Sequence, residues 1–374
     1  MTEKEALIAL NQLPKIGPVK TSGLIEAFGS ASQALKAPPS DLTRVPGIGP
    51  DTADLISNWE SHADPSAEIS LAREREIQIL TREDEDYPQR LLESHDAPVL
   101  LYVWGKLESR DDHGIAIVGS RQCTHYGREC ARKFAYQLAQ AGITVTSGLA
   151  RGIDTAAHEG AIAANGRTIA VIGSGLMQLY PPENLGLAEK IASGYGAVVS
   201  EFPLQKRPDK RTFPQRNRIV AHWTESTLVV ECPPRSGSLI TANLANEAGR
   251  QVYAVPGPID RPNSGGCHNL IREGATLVTD GSQVLEDVQF LSISTDENQA
   301  PPVLDLSDEE RMILDAMGTD ETMIDDLIGA TGMTIPALST ALMKMELKSL
   351  ISQLPGPRYR RKTQFSDERA YDDH

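Results

Sequence analysis

The stretch 114–154 constrains the fold more strongly than any other part of this chain of 374 residues. The apolar run Ile115–Val118 stops at Gly119-Ser120-Arg121, and a helical pattern follows in which apolar residues recur every four positions. A second apolar run, Ile143–Thr146, leads directly into Ser147-Gly148-Leu149-Ala150-Arg151-Gly152-Ile153-Asp154. Two strands joined through a helix predict a parallel βαβ unit, whose glycine turns meet at the carboxyl edge of the sheet.

The first turn has the composition of an anion site. Gly119 and Ser120 can donate backbone and hydroxyl hydrogens, and the Arg121 guanidinium can bind a phosphate in a bidentate manner. Backbone N–H groups and helix N-termini face outward at the carboxyl edge of a parallel sheet and attract anions. We therefore predict that phosphate binds there.

The second turn places Arg151 close to Gly148. Contact of Arg151 with a ligand and an internal ion pair with Asp154 or Glu201 are equally consistent with the sequence. Asp154 and His158 lie four residues apart at the start of a helix, as two metal ligands can, but no third ligand is suggested nearby. The preferred interpretation is a buried helix without a metal.

Strand and helix patterns alternate through the central region, which predicts an α/β fold with a Rossmann-like, mostly parallel sheet. The extended segment Pro98–Gly105 is expected to cover one edge of this sheet. The chain has neither the G-x-G-x-x-G spacing of dinucleotide sites nor a P-loop sequence, so no cofactor is expected. The predicted strands are Ile115–Val118, Ile143–Thr146, Thr168–Ile172, Ala197–Ser200, Thr227–Glu231, Gln251–Val255 and Thr276–Val278.

The segment 206–218 holds six cations against the single acid Asp209, although the whole chain has a net charge of -15. One basic site on an acidic protein remains compatible with a polyanionic ligand. Lys210 and Arg211 stand just before Phe213 at the start of a helix. Cations can follow the backbone of a single strand, while an exposed ring stacks on an unpaired base for roughly 1–3 kcal/mol. Alternatively, Phe213 packs into the core, a common role for an aromatic residue at a helix start.

The end of this segment and a later glycine loop hold further candidate residues. Arg216 and Arg218 point about 200° apart on a helix, so at most one is expected to face a ligand and the other to form an internal pair. Ser236-Gly237-Ser238 follows a strand and opens another helix, which adds donors for phosphate. Catalysis has only weak candidates, because Cys123, near a helix N-terminus, has no histidine partner assigned by the sequence.

The N-terminal region contains an internal repeat. Pro14-Lys15-Ile16-Gly17-Pro18 recurs as Pro46-Gly47-Ile48-Gly49-Pro50, and a helical pattern follows each copy. Such a repeat is typical of paired helix-hairpin-helix units, whose glycines let backbone N–H groups approach a phosphate. Asp51 and Asp54 would repel a phosphate backbone, so a helical packing or docking domain is preferred. The next segment, Ala63–Arg82, is predicted to be helical.

The C-terminal region predicts a winged-helix domain. Ser307-Asp308-Glu309-Glu310 is a capping box that opens a helix to Met317, and a second helix starts at Thr322. A third carries Leu338, Leu342 and Met345 on one face, and a strand and wing follow over 350–361. The third helix offers only Lys344, and its neighbours are acidic, so contact with protein is preferred over contact with a DNA groove.

The expected domains are a helical domain at 1–75, a Rossmann-like domain at 76–288, a linker at 289–304, a winged helix at 305–361 and a disordered tail at 362–374. No apolar run is long enough for a membrane span and residues 1–10 lack the features of a signal peptide, so a cytoplasmic protein without membrane contact is expected. The four cysteines form no Cys-x-x-Cys pair, which indicates neither disulfides nor a zinc site.

Five motifs stand along the central region: Ile117-Val118-Gly119-Ser120-Arg121, Ser147-Gly148-Leu149-Ala150-Arg151-Gly152-Ile153-Asp154, Phe213-Pro214-Gln215-Arg216-Asn217-Arg218, Ser236-Gly237-Ser238 with Thr241-Ala242, and Val255-Pro256-Gly257. Together they resemble the DNA-processing protein A family, also called DprA or Smf. The resemblance spans Tyr87 to Asp280. The order of the helical, Rossmann-like and winged-helix domains is also similar to that of the longer family members.

The resemblance implies a single-stranded DNA-binding recombination mediator that protects incoming DNA during natural transformation and loads the RecA recombinase onto it. It also implies a homodimer formed through the Rossmann-like domain. The phosphate-binding arginine of the family corresponds to Arg121, and its basic and aromatic contacts to Lys210 and Phe213. Lys206, Arg207 and Arg211 join them from charge alone. The candidate DNA-binding residues are Gly119, Ser120, Arg121, Gly148, Arg151, Lys210, Arg211, Phe213, Arg216, Ser236, Gly237 and Ser238.

A non-catalytic binding protein is therefore the preferred function, and two others remain open. Related Rossmann-like folds include nucleotide phosphoribohydrolases, which carry a Pro-Gly-Gly-x-Gly-Thr run with a downstream glutamate. The run Pro233-Pro234-Arg235-Ser236-Gly237-Ser238 departs from that pattern. Release of a base from nucleoside monophosphates would identify such a hydrolase. A transcription regulator acting through the winged helix would require residues 305–361 alone to bind duplex DNA.

Overall fold

A computed structural model describes residues 1–293, 307–317, 322–334, 337–339, 341–342, 345, 351–354 and 358–361. These residues belong to two compact units, Met1–Leu291 and Ser292–His374. The predicted tail, the predicted linker from residue 294 onward and Lys344 lie outside the described residues. No helix within the described ranges is long and apolar enough to cross a membrane.

One nine-stranded sheet forms the centre of the larger unit. Its strands are β1 Ile77–Thr81, β2 Leu100–Gly105, β3 Ile115–Val118, β4 Val145–Ser147, β5 Thr168–Val171, β6 Gly196–Ser200, β7 Ser226–Val229, β8 Gln251–Ala254 and β9 Thr276–Leu277. Their spatial order is β1-β2-β6-β5-β4-β3-β7-β8-β9. In this spatial order, all neighbouring strands from β6 through β9 pair in parallel. Strand β2 pairs antiparallel with both β1 and β6. The seven predicted strands and the mostly parallel sheet are thus confirmed.

The edge beside β6 differs from the prediction. The extended segment Pro98–Gly105 contains β2, which pairs with β6 as expected. It is not the edge strand, however, because β1 pairs with its other side. The predicted helix over Ala63–Arg82 is correct for Pro65–Glu74 and wrong for Ile77–Thr81. The charged residues around Ile77–Thr81 favoured a helix in the sequence analysis. The strand depends on pairing with β2 and on burial by distant segments, which local sequence does not show.

Helices cover both faces of the sheet. Ile115 and Ile117 pack in one apolar cluster, whereas Ala116 and Val118 pack in another on the opposite face. This alternation is expected of parallel strands that are buried on both sides. The helices of this unit are α1 Glu3–Gln12, α2 Pro18–Phe28, α3 Ala31–Ala34, α4 Pro39–Leu42, α5 Pro50–Ser57, α6 Pro65–Glu74, α7 Gln89–Leu92, α8 His125–Gln140, α9 Ile153–Ala163, α10 Leu185–Lys190, α11 Thr212–Trp223, α12 Gly237–Glu247, α13 Gly265–Arg272 and α14 Gly281–Ile293.

The N-terminal helices pack directly against the sheet. Both copies of the repeat open a helix at their second proline, since α2 begins at Pro18 and α5 at Pro50. Their apolar residues share one core with Tyr102 of β2. The buried Glu68 of α6 accepts a hydrogen bond at 2.7 Å from the Leu204 N–H. These contacts support the interpretation of a packing domain.

The smaller unit is a winged helix. Its elements are α15 Asp308–Ala316, β10 Thr322–Met323, α16 Ile324–Thr331, β11 Ile351–Leu354 and β12 Arg358–Arg361, with strand order β10-β12-β11. The capping box is confirmed, because Ser307 and Glu310 exchange backbone to side-chain hydrogen bonds. The second helix begins at Ile324 and not at Thr322, which lies in a short strand. Leu338, Leu342 and Met345 are buried together, as predicted.

A buried ion pair joins three adjacent strands at their N-terminal ends. Arg167, before β5, donates from Nε to Asp111 Oδ1 at 2.6 Å and from Nη2 to Asp111 Oδ2 at 2.8 Å. The hydroxyl of Thr144, before β4, donates to the same carboxylate at 3.0 Å. Asp111 is only 1% exposed and leads into β3. Its negative charge is therefore compensated almost entirely by Arg167.

Replacement of Arg167 should destabilise the larger unit. We expect Arg167→Met to lower the free energy of unfolding by about 3–5 kcal/mol, because the Asp111 carboxylate would remain buried without its counterion. Urea denaturation at neutral pH measures this loss.

Arg132 provides a matched control, because it forms an ion pair with Glu159 that is exposed on both sides. Arg132→Met should cost no more than about 1 kcal/mol. Equal losses in the two variants would show that the buried pair is not a special constraint.

Candidate functional site

Two glycine turns meet at the carboxyl edge of the sheet. Ser120, after β3, accepts a hydrogen bond at its carbonyl from the Ile153 N–H at 3.2 Å, at the start of α9. Gly152 has a φ of +82°, and a Cβ at this position would overlap the Ser120 carbonyl oxygen. The close approach of the two turns therefore requires glycine at position 152.

A cleft of about 570 Å³ opens beside these turns. Four segments that are distant in sequence form its walls: the two turns, the start of α11 and the start of α12. Ten of the twelve candidate residues line it, namely Gly119, Ser120, Arg121, Gly148, Lys210, Phe213, Arg216, Ser236, Gly237 and Ser238. The structure thus brings together the turns and the cationic segment, whereas Arg151 and Arg211 lie outside this lining.

Arg121 and Phe213 form the most prominent contact of the cleft. The Arg121 guanidinium carbon lies 4.7 Å from the centre of the Phe213 ring, which is a cation–π geometry. Arg121 is exposed and forms no ion pair with any described residue. Phe213 is half-buried and its ring edge lies against Gly173. The ring therefore packs partly against the protein and also borders the cleft, so it combines features of the two predicted roles, core packing and base stacking.

The cations before α11 differ in position. Lys210 is exposed and lines the cleft. Arg211 is also exposed, and its backbone N–H donates to Asp209 Oδ1 at 2.8 Å. Neither side chain pairs with a carboxylate within the described part of the chain. Both remain available to an anion, but only Lys210 faces the cleft.

Arg216 supports the cleft from below. It is 4% exposed, and its Nη1 donates to the carbonyl of Gly148 at 2.5 Å and to that of Val171. Burial lowers the Arg216 pKa to about 10, against the opposing effect of Asp154. The guanidinium stays charged at neutral pH and contributes its charge through the floor of the cleft. Arg218 forms the expected internal pair, with Glu201.

Arg151 forms an internal ion pair, but not with either expected partner. Its Nη2 lies 3.1 Å from Glu183 Oε2, and its Nε also contacts Glu183. Asp154 instead accepts a hydrogen bond from the Ala150 N–H at 3.3 Å, and Glu201 is occupied by Arg218. The partner was missed because Glu183 approaches from a distant loop after β5.

Asp154 and His158 are buried, as predicted. Burial raises the Asp154 pKa, against the nearby positive charge of Arg216. Burial and the same arginine lower the His158 pKa to about 3, and His158 Nδ1 lies 2.7 Å from the Thr168 hydroxyl. Within the described residues, no group of three or more His, Cys, Asp and Glu side chains could hold a metal ion.

The sequence-based prediction missed several residues of the cleft. Arg235 is exposed and lines the cleft, immediately before Ser236-Gly237-Ser238. It was missed because it stands alone, outside the dense run of cations, and its position before a glycine loop at a helix start is the signal that could have identified it. The other missed residues include Gln122, Asn217, Ile240 and Thr241.

The arrangement suits a large anion with apolar parts. Helices α9, α11 and α12 all begin at or near the cleft, so their N-terminal partial positive charges add to those of Arg121, Lys210 and Arg235. Phe213, Ile240 and prolines supply apolar surface. Among the described residues that line the cleft, Asp154 is the one acidic group, and there is no histidine or cysteine.

Three family models match the chain. Residues 78–289 match the model described as DNA recombination-mediator protein A. Residues 297–357 match the DprA winged helix domain, and residues 7–57 match a SAM-like helix-hairpin-helix tandem. The three matches follow one another in the same order as the helical, parallel α/β and winged-helix regions described above.

Curated relatives and solved structures agree with these matches. Protein Smf of Synechocystis is 34% identical over 96% of this chain and 99% of its own length, and Protein Smf of Escherichia coli is 41% identical over 74% and 76%. The X-ray structure of DNA processing protein A from Streptococcus pneumoniae has a TM-score of 0.66 at 36% identity, covering 77% of this chain and 98% of that chain. DNA processing protein A from Helicobacter pylori, a structure concerned with single-stranded DNA binding, has a TM-score of 0.51 at 26% identity, covering 58% and 97%.

The matching family model covers more than half of the chain, and two further models match its helical and winged-helix parts. The chain therefore belongs to the DNA recombination-mediator protein A family, whose curated relatives are named DprA or Smf.

Proposed function

We propose that this protein binds single-stranded DNA in the cleft, protects it and loads the RecA recombinase onto it, as in natural transformation, without catalysing a reaction on the DNA. The observation that carries the proposal is that Arg121, from the first glycine turn, and Lys210 and Phe213, from the cationic segment 206–218, meet at one cleft. Cations that lack carboxylate partners can offset the desolvation cost of a phosphate backbone, because they lose no internal ion pair on binding.

Single strands suit this cleft better than duplex DNA. The half-buried Phe213 ring borders the cleft with the exposed Arg121 guanidinium over it. An unpaired base can stack there when Arg121 turns toward a phosphate, while Lys210 contacts the next part of the backbone. A base pair in a duplex has no free face to offer. The backbone N–H groups of Ser120 and Ser238 already donate to the Glu231 carbonyl and to Ser236 Oγ. The donors left for a phosphate are the Gly237 N–H and the Ser120 and Ser238 hydroxyls, which do not read base identity and so favour binding of any sequence.

Loss of either cleft cation should weaken binding to single strands. We expect Arg121→Ala and Lys210→Ala each to lower the affinity for oligonucleotides of any sequence and to reduce the salt dependence by about one phosphate contact. A titration of single-stranded and duplex DNA at several salt concentrations measures both effects.

Arg132→Ala serves as the control, because it removes the same charge from a surface arginine that does not line the cleft. Its affinity should follow that of the unmodified protein. Unchanged affinity and salt dependence in both cleft variants would exclude this cleft as the DNA site.

We also propose that the protein forms a homodimer through its Rossmann-like region. Strand β9 ends the sheet, both of its residues are exposed, and Leu277 is 47% exposed. An exposed edge with an apolar side chain is suited to pairing with a second chain. We expect Leu277→Lys to shift the sedimentation of the protein toward the monomer, whereas Tyr136→Lys, at an aromatic position on α8 that is 41% exposed, should not. A wild-type protein that stays monomeric at all concentrations would contradict the proposal.

RecA loading rests on family membership alone, and it needs its own test. We expect the protein to shorten the delay before RecA assembles on single strands that are already coated with a single-strand binding protein. Arg121→Ala should shorten this delay less, because it holds the strand more weakly. No acceleration by the wild-type protein, in a preparation that binds single strands, would separate DNA binding from recombinase loading.

A further inference from the structure

A row of two neighbouring aromatic rings, with a cation at each end, runs along the rim of the cleft. Arg121 lies over Phe213, and the Phe213 ring centre lies 5.9 Å from that of Tyr180 with the planes tilted by 53°. The Arg151 guanidinium carbon lies 5.7 Å from the centre of the Tyr180 ring. We call these four residues the rim row. They come from three loops and the first turn of α11, so only the folded chain makes the row continuous.

The rim row leads out of the cleft. Arg121, Gly148 and Phe213 line the cleft, and they also line a small recess beside it. The far side of that recess is formed by Arg151 and Tyr180, with Pro181 next to them. Tyr180 is partly exposed. A strand that leaves the cleft past Phe213 in this direction meets the Tyr180 ring next.

Arg151 closes the row and is held by Glu183. The side chains of this pair are 51% and 49% exposed. An ion pair with such exposure is screened by solvent and is exchanged easily. A phosphate offers the same bidentate geometry as the carboxylate. Glu183 therefore occupies the position in which a backbone phosphate would contact Arg151.

We propose that Tyr180 and Arg151 form a second nucleotide position for the single strand, with Tyr180 stacking on a base and Arg151 binding a phosphate in place of Glu183. This inference rests on the proposed function, because the strand must first be held at Phe213. Glu183 then acts as an internal competitor that weakens the outer position. Tyr180 extends the stacking surface of the site from one ring to two.

The test compares oligothymidylates of increasing length with the full-length protein at several salt concentrations. Tyr180→Leu should weaken binding of long oligonucleotides by about tenfold, with an unchanged salt dependence, because it removes stacking and no charge. Binding of an oligonucleotide too short to pass Phe213 should change little. Tyr180→Phe should restore most of the lost affinity, because the ring is retained.

Glu183→Gln tests the competition directly. It should strengthen binding of long oligonucleotides and steepen the salt dependence by up to about one phosphate contact, because Arg151 is then free. Arg151→Ala should weaken binding and flatten the salt dependence. Glu159→Gln is the matched control, since it also removes an exposed acid from an arginine, Arg132, that lies outside the cleft and recess.

The outcomes separate the inference from the proposed function. If Tyr180→Leu and Arg151→Ala bind every length like the wild type while Phe213→Ala binds weakly, the outer position does not exist and the cleft still binds DNA. Equal effects of Glu183→Gln and Glu159→Gln would remove the competing role of Glu183. If the wild-type protein binds no single strand, both proposals fail. Circular dichroism of each variant checks the fold, and Glu183→Gln and Tyr180→Phe alter only partly exposed side chains.

Discussion

The buried guanidinium of Arg216 is the contact on which the architecture of the cleft depends. It joins α11 to the carbonyl of Gly148 after β4 and to that of Val171 at the end of β5. A Cβ at position 148 would overlap this guanidinium, so any larger residue there would displace Arg216 from these carbonyls. Because Lys210 and Phe213 stand at the start of α11, this contact also fixes the distance between the cationic segment and the glycine turns.

The same contact explains how an acidic chain can present a cationic cleft. The cations around the cleft fall into two groups, those bonded inside the protein and those exposed to solvent. Arg216 binds carbonyl oxygens and Arg218 binds a carboxylate inside the fold, where breaking either contact would leave a buried group unpaired. Arg121, Lys210 and Arg235 remain exposed and free of carboxylates within the described residues, so they can meet a polyanion at little internal cost. Net charge says little about the ligand here, because the positive charge is concentrated where three helix N-termini also point.

The larger unit surrounds this cleft with rigid packing. The Asp111–Arg167 pair ties β3, β4 and β5 together at the end of the sheet opposite the turns, and helices cover both faces. The helix-hairpin-helix region shares the core of β1 and β2, so its apolar faces contact the sheet. A strand bound at the turns would therefore meet preformed groups, which lowers the conformational cost of binding.

The sequence by itself determined the parallel sheet, the two glycine turns and the concentration of cations before α11. These features follow from local periodicity and from the rule that parallel strands end at one edge, so no knowledge of distant contacts was required. Only the tertiary structure decided that Arg151 pairs with Glu183, that Arg216 lies beneath the floor, that Ile77–Thr81 pairs as an edge strand and that Tyr180 stands beside Phe213. Each of these depends on which remote segment approaches a residue. The paired residues lie 19 or more positions apart in the sequence, and spacing alone cannot select one partner among several of like charge or shape.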